Sequence, residues 1–335
     1  MYPLLPLLLL LPAVHSSCIH NTHLYPRASS GPVEISTFSY LGASGPLNWA
    51  SLSPSNSACS TSRTQSPINL TNATSTLLPS PPAISIPSLP SAEFENLGTT
   101  VEVICTGTTT LAGTEFKLKQ FHLHSPSEHR INEEYFPLEM HMVHESSSGG
   151  IAVIAVLFEL SSSNTTSILS AVTENIDAIA KPGTRTETGP LDFSPLIKHI
   201  QNSPLMTYKG SLTTPPCAEG LTFIIPQQPM PVDVETFNKI KKVVRFNSRY
   251  TQNNAGEENV LEQGCRAVEN ARGGGGAGGN ATATATEKKK VEASASATAP
   301  VGADASATHH CIMGACHTVL APNTRRGRRW FGVRS

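Results

Sequence analysis

From about residue 36 to residue 254, apolar positions fall in many short runs of β-forming residues broken by proline, glycine and serine. Thr100-Val101-Glu102-Val103-Ile104 is one such run. Residues 151–160 are another, continuously apolar through Phe158, as a strand buried on both faces should be. Helical patterning is confined to residues 168–180 and 234–244; in the second stretch Thr236, Ile240 and Val244 recur at helical spacing. The pattern predicts a mainly β domain with minor α. Outside it the character changes. Residues 4–14 are apolar with only prolines as breakers, and beyond residue 254 large apolar side chains almost vanish.

Two of the β-type runs carry chemistry. In Gln120-Phe121-His122-Leu123-His124, alternate side chains share a face, so Gln120, His122 and His124 point the same way. In Glu139-Met140-His141-Met142-Val143, the same rule groups Glu139, His141 and Val143. If the two strands pair, three imidazoles converge with an amide and a carboxylate behind them. Three histidines with one open position describe a catalytic zinc site, because structural sites are closed by a fourth protein ligand. Neutral imidazoles also leave the metal's full charge to act on a bound water. A His-x-His pair alone is weak, since strand histidines often only hydrogen-bond their neighbours. His144 falls on the face opposite His141 and reads as a packing residue, as do His129 and His199.

Longer motifs add to the histidines. Gly45-Pro46-Leu47-Asn48-Trp49, Gln65-Ser66-Pro67-Ile68-Asn69, Ser127-Glu128-His129, residues 138–144 and the run from Tyr208 through Thr213-Thr214-Pro215-Pro216-Cys217 follow one another. In order and spacing they resemble the α-class carbonic anhydrases over residues 38–252. That resemblance implies a large, mostly antiparallel twisted sheet with the zinc in a conical cleft. It implies one catalytic Zn2+ on His122, His124 and His141, with Gln120 and Glu139 as the partners that orient two of those rings. The implied reaction is reversible hydration of carbon dioxide to bicarbonate and a proton, through a hydroxide formed on the metal. Glu128, an acceptor when ionised, would force the Thr213 hydroxyl to accept from that hydroxide. Thr213 and Thr214 would also meet substrate. Val143, Val153, Leu212, Leu221 and Phe223 match the apolar wall for carbon dioxide, with Phe223 standing where a tryptophan is common. Thr99 stands where fast relatives carry a proton-shuttling histidine, and threonine does not titrate near neutral pH. Glu102, His20 or His23 are the nearest substitutes. Cys59 and Cys217 match the cysteines bridged in extracellular relatives.

Net charge near zero and 15% charged residues suggest no polyanion as a partner for the whole chain, so no nucleic acid is expected. The apolar run at residues 4–14 is too short to span a bilayer and fits a secretory signal peptide cleaved among residues 13–17, so secretion without a transmembrane anchor is expected. Asn69, Asn72, Asn164 and Asn280 open glycosylation sequons. Of the other cysteines, Cys18, Cys105, Cys265, Cys311 and Cys316, at least one must be free or intermolecular.

The expected division is a signal peptide at 1–17, an N-terminal extension at 18–35, the catalytic domain at 36–254 and a disordered tail at 255–335. The tail holds Gly273-Gly274-Gly275-Gly276, Lys288-Lys289-Lys290 and Ala-Thr and Ala-Ser runs, which bury too little to offset their ordering entropy. His309-His310-Cys311 with Cys316-His317 reads as a local disulfide or as unstructured sooner than as a metal site. The basic tip, residues 325–331, reads as a contact for an anionic surface, a processing site or an inert end. Two other functions compete with hydration: a non-catalytic binding module of the same fold, and an esterase acting through the same metal chemistry.

Overall fold

The computed structural model describes residues 19–22, 26, 31–273, 307–312 and 315–320. The chain divides into two compact units, Met1–Glu262 and Gln263–Ser335. The first is built on an 11-stranded sheet. Its principal strands are β1 (Glu93–Asn96), β2 (Val101–Leu111), β3 (Thr114–His124), β4 (Leu138–Ser146), β5 (Ile151–Ser161), β6 (Leu205–Ser211) and β7 (Glu219–Pro226). Across the sheet they run β1-β2-β3-β4-β5-β7-β6, with Arg185–Glu187 and Thr76–Leu77 at the edges. Most pairs are antiparallel; β5 pairs in parallel with β7 and with Met230–Asp233.

The two faces of this sheet differ in their cover. One presents Val103, Phe121, Leu123, Met140, Met142, Ile154, Val156 and Phe158 to a core shared with residues from three helices. These are α1 (Ser167–Glu174), α2 (Ser194–Asn202) and α3 (Val234–Val244). The central strand β5 is buried on both faces from Ile151 through Phe158, which accounts for its unbroken apolar run. Helix α3 matches its predicted span and is capped by Asp233, whose carboxylate accepts from the Thr236 N–H at 2.9 Å. The helix expected over 168–180 is split. Asn175 leaves helical geometry, gives its side-chain N–H to the Glu187 carbonyl, and a 3-10 turn follows at Ile176–Ile179. Helix α2, with only Leu196 and Ile200 buried, gave too few apolar positions to be predicted.

The opposite face carries a smaller apolar cluster and the row of polar residues that matters below. Register fixes that row: Glu95 lies opposite Glu102, Glu102 opposite His122, His122 opposite His141, and His141 opposite Ala155. Beside the sheet, Phe38, Tyr40 and Trp49 pack edge to face around the Cys59–Cys217 disulfide.

Both predicted domain edges move outward. Val33 is buried and Arg185 donates to the Gly31 carbonyl, so part of the expected extension belongs to the folded unit. At the other end, Gly256 N–H donates to Arg63 O and the Asn259 side chain donates to Ser62 O. Residues 255–259 are thus held by hydrogen bonds, which leave no apolar signature. Asn259 then accepts from Leu261 N–H at 2.9 Å and caps a helix, α4 (Val260–Gly273), inside the stretch expected to be disordered. In the second unit, Ala307–Ile312 and Ala315–Leu320 pair as a hairpin with Cys311 opposite Cys316. The signal-peptide segment and residues 325–331 lie outside the described residues. Among the described residues no helix is long and apolar enough to cross a membrane.

Candidate metal centre and catalytic site

Strand pairing brings His122 and His124 on β3 against His141 on β4, with ring centroids 4.6 to 5.3 Å apart. One ligand atom from each lies within 4.8 Å of the others. The rings are 1, 1 and 2% exposed, and burial lowers all three pKa values. Neutral imidazole is the form that can ligate a metal.

Each ring's tautomer follows from its partner. His122 Nδ1 meets Gln120 Oε1 at 2.8 Å, His124 Nδ1 meets the Asn247 carbonyl at 2.9 Å, and His141 Nε2 meets Glu139 Oε1 at 2.6 Å. All three partner oxygens accept, so the facing nitrogen must carry the proton. His122 Nε2, His124 Nε2 and His141 Nδ1 are left with their lone pairs. His122 Nε2 and His124 Nε2 are buried with no hydrogen-bond partner. A buried acceptor without a partner costs about 1–3 kcal/mol, and a metal ion between these atoms removes that cost. The donor set therefore fits zinc with three neutral nitrogen ligands.

Glu139 holds more than His141. Its Oε2 accepts from the N–H groups of Glu128 and His129, and its Oε1 also meets His129 Nδ1 at 2.6 Å. Burial would push its carboxyl up, but His129 and His141 hold it well below the usual range. His129 Nε2 in turn meets Tyr208 Oη at 2.7 Å, and Tyr208 meets Ser66 Oγ at 2.8 Å. Gly210 permits this approach, because a Cβ there would collide with Ser66 and the Tyr208 ring. The group His129, Glu139 and His141 also has metal-ligand spacing, but its short contacts are hydrogen bonds to one carboxylate.

Glu128 is fixed by the Arg249 N–H at 2.9 Å and lies 3.6 Å from His124 Nε2. Burial pushes it up to about 7, while His141 and hydrogen bonds from Thr213 and Arg249 pull the other way. A dication beside it would lower it further. Thr213 and Thr214 are both buried, in the turn closed by Cys217 N–H to Thr214 O. Val143, Val153, Leu212, Leu221 and Phe223 share one buried cluster. Val143, Val153 and Phe223 are neighbours across β4, β5 and β7, and the Phe223 ring centroid is 5.9 Å from that of His141.

Other sequence-derived assignments fare variously. His144 is buried between Thr109 and the Met142 carbonyl, away from the ligand rings, as a packing residue would be. Thr99 is hydrogen-bonded through its hydroxyl to Ser36. Glu102 lies opposite His122 and is bonded to His20 at 2.6 Å, whereas His23 falls outside the described residues. Cys59 and Cys217 are bridged, and Cys105 is the free cysteine among the described residues. Cys265 is also disulfide-bonded. Three supporting residues were not found in the sequence. His129 was read as packing because it lies past the end of β3, where strand alternation no longer assigns a face. Tyr208 stood only within a motif. Asn247 acts through its carbonyl, which no residue pattern announces.

Comparison with known proteins agrees with this arrangement. The family model for eukaryotic-type carbonic anhydrase matches residues 44–273. The chain is 32% identical to alpha carbonic anhydrase 4 of Arabidopsis thaliana, over 69% of this chain and 89% of that one. It is similar to the solved structure of a fungal alpha carbonic anhydrase from Aspergillus oryzae (39% identity, TM-score 0.66, covering 68% of this chain and 97% of that one). It is also similar to the alpha carbonic anhydrase of Thermovibrio ammonificans solved with the inhibitor sulfanilamide (32% identity, TM-score 0.59, covering 69% and 99%). With its sheet, its disulfide and its three converging histidines, the chain belongs to the carbonic anhydrase family of enzymes, in the α class.

Proposed function

We propose that this protein binds one zinc ion at His122, His124 and His141 and hydrates carbon dioxide reversibly to bicarbonate and a proton. The observation that carries the proposal is the convergence of three buried imidazoles, one ligand atom from each within 4.8 Å of the others, each ring having an oxygen acceptor at its other nitrogen. Zinc bound there would act as a Lewis acid and bring the pKa of its water to about 7, the value established for this enzyme class. The chain's own residues do the rest. Glu128 takes the Thr213 hydroxyl hydrogen, so Thr213 Oγ1 is left to accept a proton from the attacking oxygen and turn that oxygen's lone pair toward carbon dioxide. Val143, Leu212 and Phe223 give an uncharged substrate an apolar wall and keep bulk water from it. The Thr213–Glu128 pair has no use in a binding module, which favours catalysis over that alternative. Activated esters are the side substrates that this chemistry admits, and small anions and sulfonamides are the expected inhibitors.

Thr99 supplies no titratable group, and His20 is buried in its bond to Glu102. Proton export therefore depends on external buffer. Stopped-flow hydration of carbon dioxide tests both points. We expect turnover that a zinc chelator abolishes and that rises with buffer concentration. Turnover in fully metal-free protein would sink the zinc proposal, and buffer independence would sink the export proposal.

We also infer secretion. The Cys59–Cys217 bridge suits an oxidising compartment, and Asn72 and Asn164 are exposed for glycosylation, while the Asn69 side chain is engaged by Glu133 N–H.

A further inference from the structure

Residues 19–22 lie on the site face of the sheet, far in sequence from anything else there. Ile19 is buried in the apolar cluster that also holds Val143, Leu212, Leu221 and Phe223. His20 is 4% exposed and meets Glu102 Oε1 through Nδ1 at 2.6 Å. Asn21 gives its side-chain N–H to the Lys119 carbonyl on β3, one residue before Gln120. Thr22 closes the turn, with both its N–H and its hydroxyl donating to Ile19 O.

The segment is held by hydrogen bonds and apolar burial. Glu95 and Glu102 are buried and lie directly opposite each other on adjacent strands. His20 hydrogen-bonds to Glu102 at 2.6 Å, and Arg185 lies 3.8 Å from Glu95. Glu102 is also the cross-strand neighbour of His122, so the segment is anchored one residue from the ligand set on one side and in the apolar wall on the other.

We propose that residues 19–22 form a strap across the β2–β3 side of the site, and that Ile19 and His20 set its size limit, admitting carbon dioxide, bicarbonate and compact inhibitors and rejecting elongated ones. The size limit rests on the zinc reading above; the cover itself does not. A site with a strap on one wall is narrower than one walled by the sheet and the Thr213 turn alone. The strap is thus a specificity element of the same site and takes no part in the reaction.

The test compares the full chain with its Ile19→Gly/His20→Gly variant in two ways. In metal-free protein, modification of His122, His124 and His141 by diethyl pyrocarbonate is followed by peptide mass spectrometry, with His199 on the helix-covered side as internal control. The strap predicts several-fold faster modification of the three site histidines in the variant and no change at His199. Unchanged site rates, or a rise that His199 shares, would overturn it. In zinc-loaded protein, affinity is measured for a methyl sulfonamide and for a biphenyl sulfonamide. The variant should gain about tenfold for the biphenyl compound, about 1.4 kcal/mol, and little for the methyl one. Equal changes for both would overturn the size limit. If the unaltered chain bound neither zinc nor sulfonamide, the zinc reading would fail and the size limit with it, while the metal-free modification rates would still decide whether the strap covers the site.

Discussion

Removing the Glu139 carboxylate takes the acceptor from His141, from His129 and from the N–H groups of Glu128 and His129 at once. Glu139→Ala should therefore lower zinc affinity by about 10–100-fold, the usual effect of losing a ligand's partner, and competition with a fluorescent chelator measures it. An unchanged affinity would mean that His141 is oriented by something else. On the proposed mechanism, Thr213→Ala should keep zinc and lose most hydration activity in stopped-flow assays, since Thr213 would orient the attacking oxygen and is not one of the proposed ligands. Buried imidazoles also set the acid limit. Burial pushes His144 down to about 4, and His122, His124 and His141 are likewise lowered. Below the ordinary value of 6.5 the unfolded chain takes up protons that these folded rings refuse, so each contributes stability that is lost as pH falls from 6.5 toward its folded pKa. Glu128, pushed up to about 7, works the other way and offsets part of this between its ordinary 4.5 and 7. Four imidazoles outweigh one carboxyl, so the Tm of the metal-free protein should fall as pH goes from 7 to 4; a flat profile would contradict this. At this scale the sequence was legible wherever a side chain lay inside a strand. Alternation places Gln120 and Glu139, each two residues before a histidine, on the ligand face, and the resemblance implies their role; His129 and Asn247 lie off the strands, where no such rule operates.

The Cys59–Cys217 bridge closes a loop of 158 residues and ties the Trp49 cluster to the turn that carries Thr213. Breaking it with Cys59→Ser should destabilise the domain by about 2–5 kcal/mol, read from urea unfolding, with a larger loss of activity than of zinc binding because the turn loosens before β3 and β4 do. Equal losses would place the effect in the sheet instead. The pairing was visible in the sequence only through family resemblance, since two cysteines so far apart carry no local signal. Elements with a strong apolar period were legible directly: β5 and α3 match their predicted residues closely. Helix α4 was not, because what defines its start is the Asn259 cap and its composition is polar. Asn259→Ala should cost about 1 kcal/mol and speed amide exchange in the first turn of α4, and exchange that did not change would show that the cap carries no weight.

At the scale of the molecule, the sheet divides its labour by face: helices cover one side and supply most of the apolar core, leaving the other for polar groups that a core would not tolerate. Zinc bound on that face should stabilise the whole unit by mass action, by about 4 kcal/mol when free zinc exceeds its Kd a thousandfold. The most direct check on the central claim is X-ray absorption of the protein reconstituted with zinc, together with its metal content. One zinc per chain, bound by three imidazole nitrogens and one further light atom at about 2.0–2.1 Å, is the result the geometry of His122, His124 and His141 predicts. Sulfur in the coordination shell, or less than one tightly bound zinc in folded protein, would contradict it.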